Sequence, residues 1–151
     1  MLRGLVAFGL LGLVSCGGGP EVLEVKQFHL RDPKADLGEN EVVRSEKLKR
    51  LYGAVSLEER RERMGHYFGI RWNGPPGRES EEVRFVFEFQ QAATGSAIKR
   101  VEQVLPGTAK GATEFQVTGA AYLHGGRVLA WHLRMFRGGE EVATRRSYLW
   151  Q

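Results

Sequence analysis

The residues that most often do chemistry in proteins are scattered in this chain. The four histidines, His29, His66, His124 and His132, show neither a His-x-His nor a His-Glu-x-x-His spacing. Those spacings place two imidazoles on one face of a strand or helix, where both can bind one metal ion. The single cysteine, Cys16, is near the N-terminus and cannot complete a ligand set. The sequence therefore predicts no metal site.

A serine nucleophile or an acid–base pair of carboxylates is not indicated either. Gly95-Ser96-Ala97 lacks the Gly-x-Ser-x-Gly pattern that presents a nucleophile on a sharp turn before a helix. The only aspartates, Asp32 and Asp36, lie beside a proline or in a loop, which suits turn residues better than a catalytic triad. Glutamates are plentiful, but no spacing selects two of them for glycosidic chemistry. We expect no catalytic residues and no cofactor.

The lone cysteine follows a short apolar segment directly. Arg3 precedes a run from Leu5 to Leu13 that is apolar apart from its glycines. A helix that spans the bilayer core needs ~20 apolar residues, whereas the core of a secretory signal has ~7–15. The run has the second size, which favours an export signal. A hydrophobic first strand and an ordinary cleaved signal, with Cys16 incidental in both cases, stay open as alternatives.

The residues Leu13-Val14-Ser15-Cys16 resemble the lipobox of bacterial lipoproteins: a leucine, a small or branched residue, a small residue and the cysteine. The resemblance implies that residues 1–15 are a signal peptide cleaved between Ser15 and Cys16, and that Cys16 carries lipid through a thioether. It also implies an address in the cell envelope. Gly17 is not the aspartate that retains many enterobacterial lipoproteins at the inner membrane, which favours the outer membrane, facing the periplasm.

Residues 21–151 have the size and composition of one domain, because domains of ~100–150 residues are the commonest. The apolar fraction of 42% and the aromatic fraction of 10% can supply a core. The net charge of +4 is far below the dense Lys/Arg footprint of a nucleic-acid binder. Residues 16–20 are rich in glycine and are predicted to be a tether, since such a segment holds neither helix nor strand.

Basic residues concentrate between Arg44 and Arg71 and provide the candidates for a binding surface. One interpretation is a surface that contacts anionic headgroups or an acidic partner near the membrane. The other is a solvated helix and loop whose interleaved glutamates compensate the charge, and those glutamates favour it. The candidate binding residues are Arg60, Arg61, Arg63, Tyr67 and Arg71.

Alternating apolar residues predict a series of short strands with turn signals between them. One helix is predicted at about 56–64, where Ser56 and Glu59 have capping-box spacing and Gly65 suits the C-terminal cap. Residues 41–51 stay open between a short strand and irregular structure. The predicted strands are 21–30, 66–73, 83–90, 98–105, 115–123, 129–135 and a last one that runs to Gln151.

Glycine-rich turns predict how the last three strands pair. A three-residue loop at His124-Gly125-Gly126 puts the apolar sets of two consecutive strands on one side of the sheet. A two-residue turn at Gly138-Gly139 joins the final hairpin, and the C-terminus is then part of the sheet. The predicted pairs are Met135 with Val142, Leu129 with Tyr148, and Trp131 with Arg146 as a cation–π contact.

Six or seven short strands and one small helix predict an antiparallel β-sandwich, broadly immunoglobulin-like. Such a fold carries no function by itself. With a lipid anchor and without a catalytic constellation, we expect a non-enzymatic binding or envelope-assembly module with an envelope protein as partner. The alternative is a tethered hydrolase or carbohydrate-active module whose site is assembled from distant residues. That alternative predicts a polar pocket with at least one carboxyl group of raised pKa.

Overall fold

The computed structural model describes residues 21–34 and 38–151. The predicted signal peptide, cleavage site, lipid anchor at Cys16 and tether all lie outside the described residues. The described strands are β1 (Val22–Leu30), β2 (Gly65–Asn73), β3 (Val83–Gln91), β4 (Ile98–Leu105), β5 (Lys110–Thr118), β6 (Val128–Arg137) and β7 (Glu140–Arg146). The helices are α1 (Glu41–Leu51), α2 (Leu57–Glu62) and α3 (Gly119–Gly125).

The strands form two antiparallel sheets, one with the order β1-β2-β5 and the other with the order β4-β3-β6-β7. The chain passes from one sheet to the other between β2 and β3, between β4 and β5, and between β5 and β6. Two antiparallel sheets that exchange strands in this way form a sandwich of the immunoglobulin-like kind. The predicted fold class is confirmed.

The core lies between the two sheets and is built by alternate residues of each strand. Phe68, Ile70 and Trp72 of β2 are buried together, as their spacing predicts. The ring of Phe87 in β3 stacks on that of Phe115 in the opposite sheet, with centroids 5.1 Å apart. Aromatic side chains bury a large apolar area each, so these contacts supply much of the stability of the sandwich.

Helix α1 occupies the segment that the sequence left open between strand and irregular structure. The Asn40 side chain accepts a hydrogen bond from the Val42 N–H at 2.9 Å and caps the helix. One turn apart, Glu46 and Arg50 form an ion pair of 3.6 Å. The cap and the ion pair both have recognisable sequence signals, and together they explain why this segment is helical.

A buried lysine explains why α1 shows no apolar periodicity. Lys47 is 4% exposed, and its ammonium group contacts a Glu39 carboxylate oxygen at 2.6 Å and the Lys34 carbonyl oxygen at 2.7 Å. A helix that buries a paired lysine lacks the apolar stripe that normally marks an amphipathic helix.

Helix α2 confirms the predicted helix, although it is shorter than 56–64. The capping box forms as predicted: the Glu59 N–H donates to the Ser56 hydroxyl at 3.1 Å, and the Ser56 N–H donates to the Glu59 carboxylate at 2.8 Å. Gly65 is not its C-terminal cap but the first residue of β2. A Cβ atom there would lie 2.1 Å from the Val117 carbonyl oxygen, so only glycine fits.

The predicted strand 115–123 and its hairpin to the next strand are wrong. The strand β5 ends at Thr118 and pairs with β2, and residues 119–125 form α3. Gly119 has a φ of +55°, a left-handed conformation that breaks the strand. Helix α3 then carries the chain to the opposite sheet, where β6 pairs with β3 and β7, so two strands predicted as neighbours lie in different sheets.

The turn at Gly138-Gly139 is confirmed, but the register beyond it is wrong by one residue. The register shifts between Met135 and Phe136, so that Val142 is the extra residue of a β-bulge. The last strand also ends at Arg146, and the C-terminus is not part of the sheet. Met135 faces Ala143, His132 instead of Trp131 faces Arg146, and Tyr148 is fully exposed.

Candidate functional site

A groove of about 560 Å³ runs between α1 and the outer face of the three-stranded sheet. Alternate residues of each strand point away from the core, and these form its floor. The helix forms its wall. Its lining includes Phe28 from β1, Tyr67 and Arg71 from β2, Glu114 from β5, and Val42, Val43 and Arg50 from α1.

Arg50 fastens α1 to the floor of the groove. Its two terminal nitrogens each lie 2.5 Å from an oxygen of the Glu114 carboxylate, a bidentate ion pair. The guanidinium also covers the ring of Tyr67, 4.2 Å from its centroid. The Tyr67 hydroxyl donates to the Arg63 carbonyl oxygen at 2.5 Å, and burial raises the pKa of this phenol. The wall of the groove is therefore held by polar contacts on its floor.

Each of the three carboxylates in the groove has a cation beside it. An ion pair holds a carboxylate in a fixed position, which suits recognition of a ligand. The pairs join Glu114 to Arg50, Glu46 to Arg50 at 3.6 Å, and Glu24 to Lys26 at 3.5 Å.

Hydrogen bonds lower the pKa of several carboxyl groups elsewhere in the domain. A backbone N–H does so at Glu59 and Glu79, and the side chain of an arginine does so at Glu81 and Glu102. The hydrolase alternative predicts a shift in the opposite direction, because a general acid at neutral pH needs a raised pKa. The resolved shifts among the described carboxyl groups do not supply that feature.

The structure brings together three of the five candidate residues. Tyr67 and Arg71 line the groove, and Arg63 lies in an adjoining depression that shares Tyr67. Arg63 uses one terminal nitrogen on the carbonyl oxygens of Arg50 and Tyr52, at 3.1 Å and 2.5 Å, so it braces the end of α1. The side chain of Arg71 is exposed and forms no ion pair with another described residue.

The two remaining candidates do not contribute to the groove. Arg60 donates to the Ala54 carbonyl oxygen at 3.3 Å and stabilises the turn before α2. Arg61 is exposed on α2 and is not among the lining residues. The interpretation of this basic segment as a single contact surface is therefore too broad.

Sequence reasoning missed the residues that make the site a groove. Phe28 and Glu114 face outward from their strands, and Val42, Val43 and Arg50 come from a helix that was not predicted. The spacing of Glu46 and Arg50 after Asn40 is the signal that indicates this helix. Once the helix is recognised, the alternation of β1 and β5 identifies the outward-facing side chains that lie opposite it.

A second cluster of titratable groups lies where α3 meets the three-stranded sheet. His29 and His66 face each other across β1 and β2, with ring centroids 3.8 Å apart, and the His29 Nε2 lies 2.8 Å from the Tyr122 hydroxyl. Burial, helped by the charges of Arg31 and Arg127, lowers the pKa of both histidines, for His66 to about 4. The two cations beside the pair disfavour a metal ion there, which favours a packing role for the two imidazoles.

Within the described residues, no three His, Cys, Asp or Glu side chains come together in a way that could hold a metal ion. No helix in that part of the chain is long and apolar enough to cross a membrane. No family model, curated protein or solved structure matches the chain. The function is therefore inferred from the site and from the N-terminal motif.

Proposed function

We propose that this protein is a membrane-tethered bacterial lipoprotein whose β-sandwich is a non-enzymatic binding module for an envelope partner. The motif Leu13-Val14-Ser15-Cys16 after an apolar run of signal-peptide size carries the proposal. Four residues lie between Cys16 and Glu21, and the five Cα–Cα steps of a fully extended chain across them reach ~17 Å. A lipid on Cys16 therefore holds the domain close to the membrane surface.

The beginning of the described domain supports such an attachment. Glu21 is the first described residue, and its carboxylate lies 2.7 Å from Nε of the buried Arg137. Glu21 is therefore a fixed point at one end of the sandwich. A tether that starts at a fixed point limits the orientations of the domain on the membrane.

The groove supports the binding part of the proposal. Arg71, which forms no ion pair within the part of the chain that the structure describes, lies in the same groove as the apolar side chains of Phe28, Val43 and Val42, the last of which is 71% exposed. A partner that presents a carboxylate next to an apolar side chain complements this arrangement. The planar guanidinium of arginine can bind such a carboxylate in bidentate geometry.

Mass spectrometry of the full-length chain expressed in a bacterium tests the attachment. We expect a mature species that starts at Cys16, is heavier by a diacylglycerol or triacyl group and sediments with membranes. The Cys16→Ser variant is the matched control and loses the added mass and the membrane association. An unmodified Cys16 in the wild-type chain, or cleavage at another bond, contradicts the proposal.

Site-specific photocrosslinking in the same cells tests the groove. A photoreactive residue at Val42 is expected to give a discrete crosslinked product, whereas the same residue at the fully exposed Tyr148 gives none. Adding Arg71→Glu should abolish the product, because it puts a like charge against the partner's carboxylate. A product that forms equally from both positions, or that survives the reversal, argues against the groove.

A further inference from the structure

Strand β4 is an edge strand whose outer side is open. Among the described strands it pairs with β3 alone, and the register runs without a shift along the whole strand. Three of its apolar side chains are largely exposed: Ile98 at 56%, Val101 at 45% and Val104 at 51%. A regular edge with unpaired N–H and C=O groups and exposed apolar residues is a template for another strand. The groove does not explain why β4 exposes apolar side chains along an open edge.

The sequence of β4 is complementary to itself when it is reversed about Val101. In an antiparallel pair centred on that residue, Ile98 faces Val104 and Arg100 faces Glu102 of the other strand, twice over by symmetry. Apolar pairs and opposite-charge pairs directly across antiparallel strands both stabilise the pairing. Within β4 itself, the Arg100 guanidinium already hydrogen-bonds the Glu102 carboxylate, so the two pairs would form a lattice of four alternating charges.

We propose that β4 pairs antiparallel with β4 of a second copy of this chain, centred on Val101, and joins two four-stranded sheets into one of eight strands. A two-fold axis makes this interface use the same surface on both copies. Moving the centre by one residue puts Arg100 against Arg100, or Glu102 against Glu102, and like charges directly opposite are destabilising. The register is therefore specified by charge.

The other outer edge of the same sheet shows why charge complementarity alone is not enough. In β7, Glu140 and Glu141 face Arg146 and Arg145 when the strand is reversed about Ala143. The bulge at Val142 interrupts this strand, and bulges twist an edge away from further pairing. Strand β1 has Glu24 and Lys26 at a similar spacing, but of its large apolar side chains only Val22 is exposed above one third.

A disulfide at the two-fold axis tests the pairing in cells that express the full-length chain. Residues directly opposite in antiparallel strands have Cα atoms ~4.5–5.5 Å apart, within the range that a disulfide spans. Val101→Cys is therefore expected to give a disulfide dimer on a non-reducing gel. Ala143→Cys, at the centre of β7, is the matched control, and the unsubstituted chain sets the background from Cys16. A Val101→Cys product no stronger than that of Ala143→Cys overturns the proposal.

Charge reversal tests the register. In sedimentation of the full-length chain in detergent, Arg100→Glu and Glu102→Arg should each weaken dimerisation by about tenfold, because both symmetric pairs become like-charged. The double variant should recover most of the loss, and Glu141→Arg on β7 should change nothing. Single reversals without effect, or a double variant weaker than either, overturn the centre at Val101.

Discussion

The two ends of the sandwich bury polar side chains by opposite means. At the end where β1 begins, named the tether end after the tether predicted at residues 16–20, an ion pair between Glu21 and Arg137 closes the space between the sheets. At the α3 end, neutral groups do the same work: the amide of Gln91 and the imidazoles of His29 and His66. The contrast shows that one core can be closed by an ion pair or by the hydrogen bonds of a neutral amide and imidazoles, with different consequences when a partner is lost.

The tether end depends on one guanidinium. Arg137 is 1% exposed, and besides Glu21 it donates to the carbonyl oxygens of Thr108 at 2.8 Å and Arg78 at 3.3 Å. Three separate segments therefore converge on one side chain. The space is tight as well, because a Cβ atom on Gly74 would lie 2.6 Å from the Glu21 carboxylate oxygens.

The α3 end depends on one amide. Gln91 is fully buried, and its Nε2 donates to the carbonyl oxygens of Ala121 at 2.9 Å and Gly126 at 2.8 Å. Its amide oxygen accepts a hydrogen bond from the Lys99 ammonium group at 2.7 Å. The amide thus ties α3 and the residue that follows it to β3.

Removing the charged side chain of Arg137 is expected to cause the largest single loss of unfolding free energy. Arg137→Met leaves the Glu21 carboxylate buried without its cation, and breaking a buried pair from one side costs ~3–5 kcal/mol. Urea unfolding should show that loss of unfolding free energy. Arg134→Met, whose guanidinium pairs with Glu88 at 3.2 Å on the outer face of the sheet, is the matched control and should lose ~1 kcal/mol or less. Equal losses in the two variants would contradict this account of the tether end.

Loss of the neutral partner should cost less. Gln91→Leu keeps the approximate volume but leaves two carbonyl groups and the Lys99 ammonium group without their partner, for ~2–3 kcal/mol. Gln90→Leu is the matched control, because this neighbour faces outward and is only partly buried. The measurement is again the free energy of unfolding in urea. The comparison between the two ends fails if Gln91→Leu is as damaging as Arg137→Met.

The strands and the core could be predicted because their signal is local. Phe68, Ile70 and Trp72 alternate with more polar neighbours, and this alternation reports the buried face of β2 directly. Strand β4 has the predicted bounds, since Pro106-Gly107 stops it. The fold class follows from the number and spacing of such strands.

The closures at the two ends could not be predicted, because they depend on residues far apart in the chain. Arg137 meets Glu21 across 116 positions, and an arginine at a strand end looks the same in sequence whether it is buried or exposed. The helix α3 was missed because Ala121 and Leu123 continue the alternation of β5, although Gly119 breaks the strand. The candidate site was predicted in part, because the alternation of β2 places Tyr67 and Arg71 on its outward face. The helix α1, which completes the groove, was not predicted, because it buries Lys47 in place of an apolar stripe.

Acidification is expected to give the smallest of the predicted losses of unfolding free energy, and this loss arises at the α3 end. Burial lowers the pKa of His66 to about 4, and it lowers that of His29 as well. Above the unfolded value of ~6.5 both states are neutral and the histidines add nothing. As the pH falls below ~6.5, the unfolded chain binds protons that the folded domain does not bind, so stability falls until the folded histidines also titrate, which for His66 is near pH 4. After a reduction for solvent access, we expect a loss of about 1 kcal/mol between pH 7 and pH 5.

The interval between pH 7 and pH 5 isolates the histidines from the carboxyl groups. Carboxyl groups with a lowered pKa, such as Glu81 and Glu102, cost stability only below their unfolded value of ~4.5. Unfolding in urea at a series of pH values should therefore show the loss in the wild-type chain and a flatter profile for His66→Gln. His132→Gln, on the outer face of the four-stranded sheet, is the matched control and should keep the wild-type slope. If His66→Gln keeps that slope too, the α3 end is not the acid-sensitive end. The two ends then differ only in how much unfolding free energy is lost when one partner is removed.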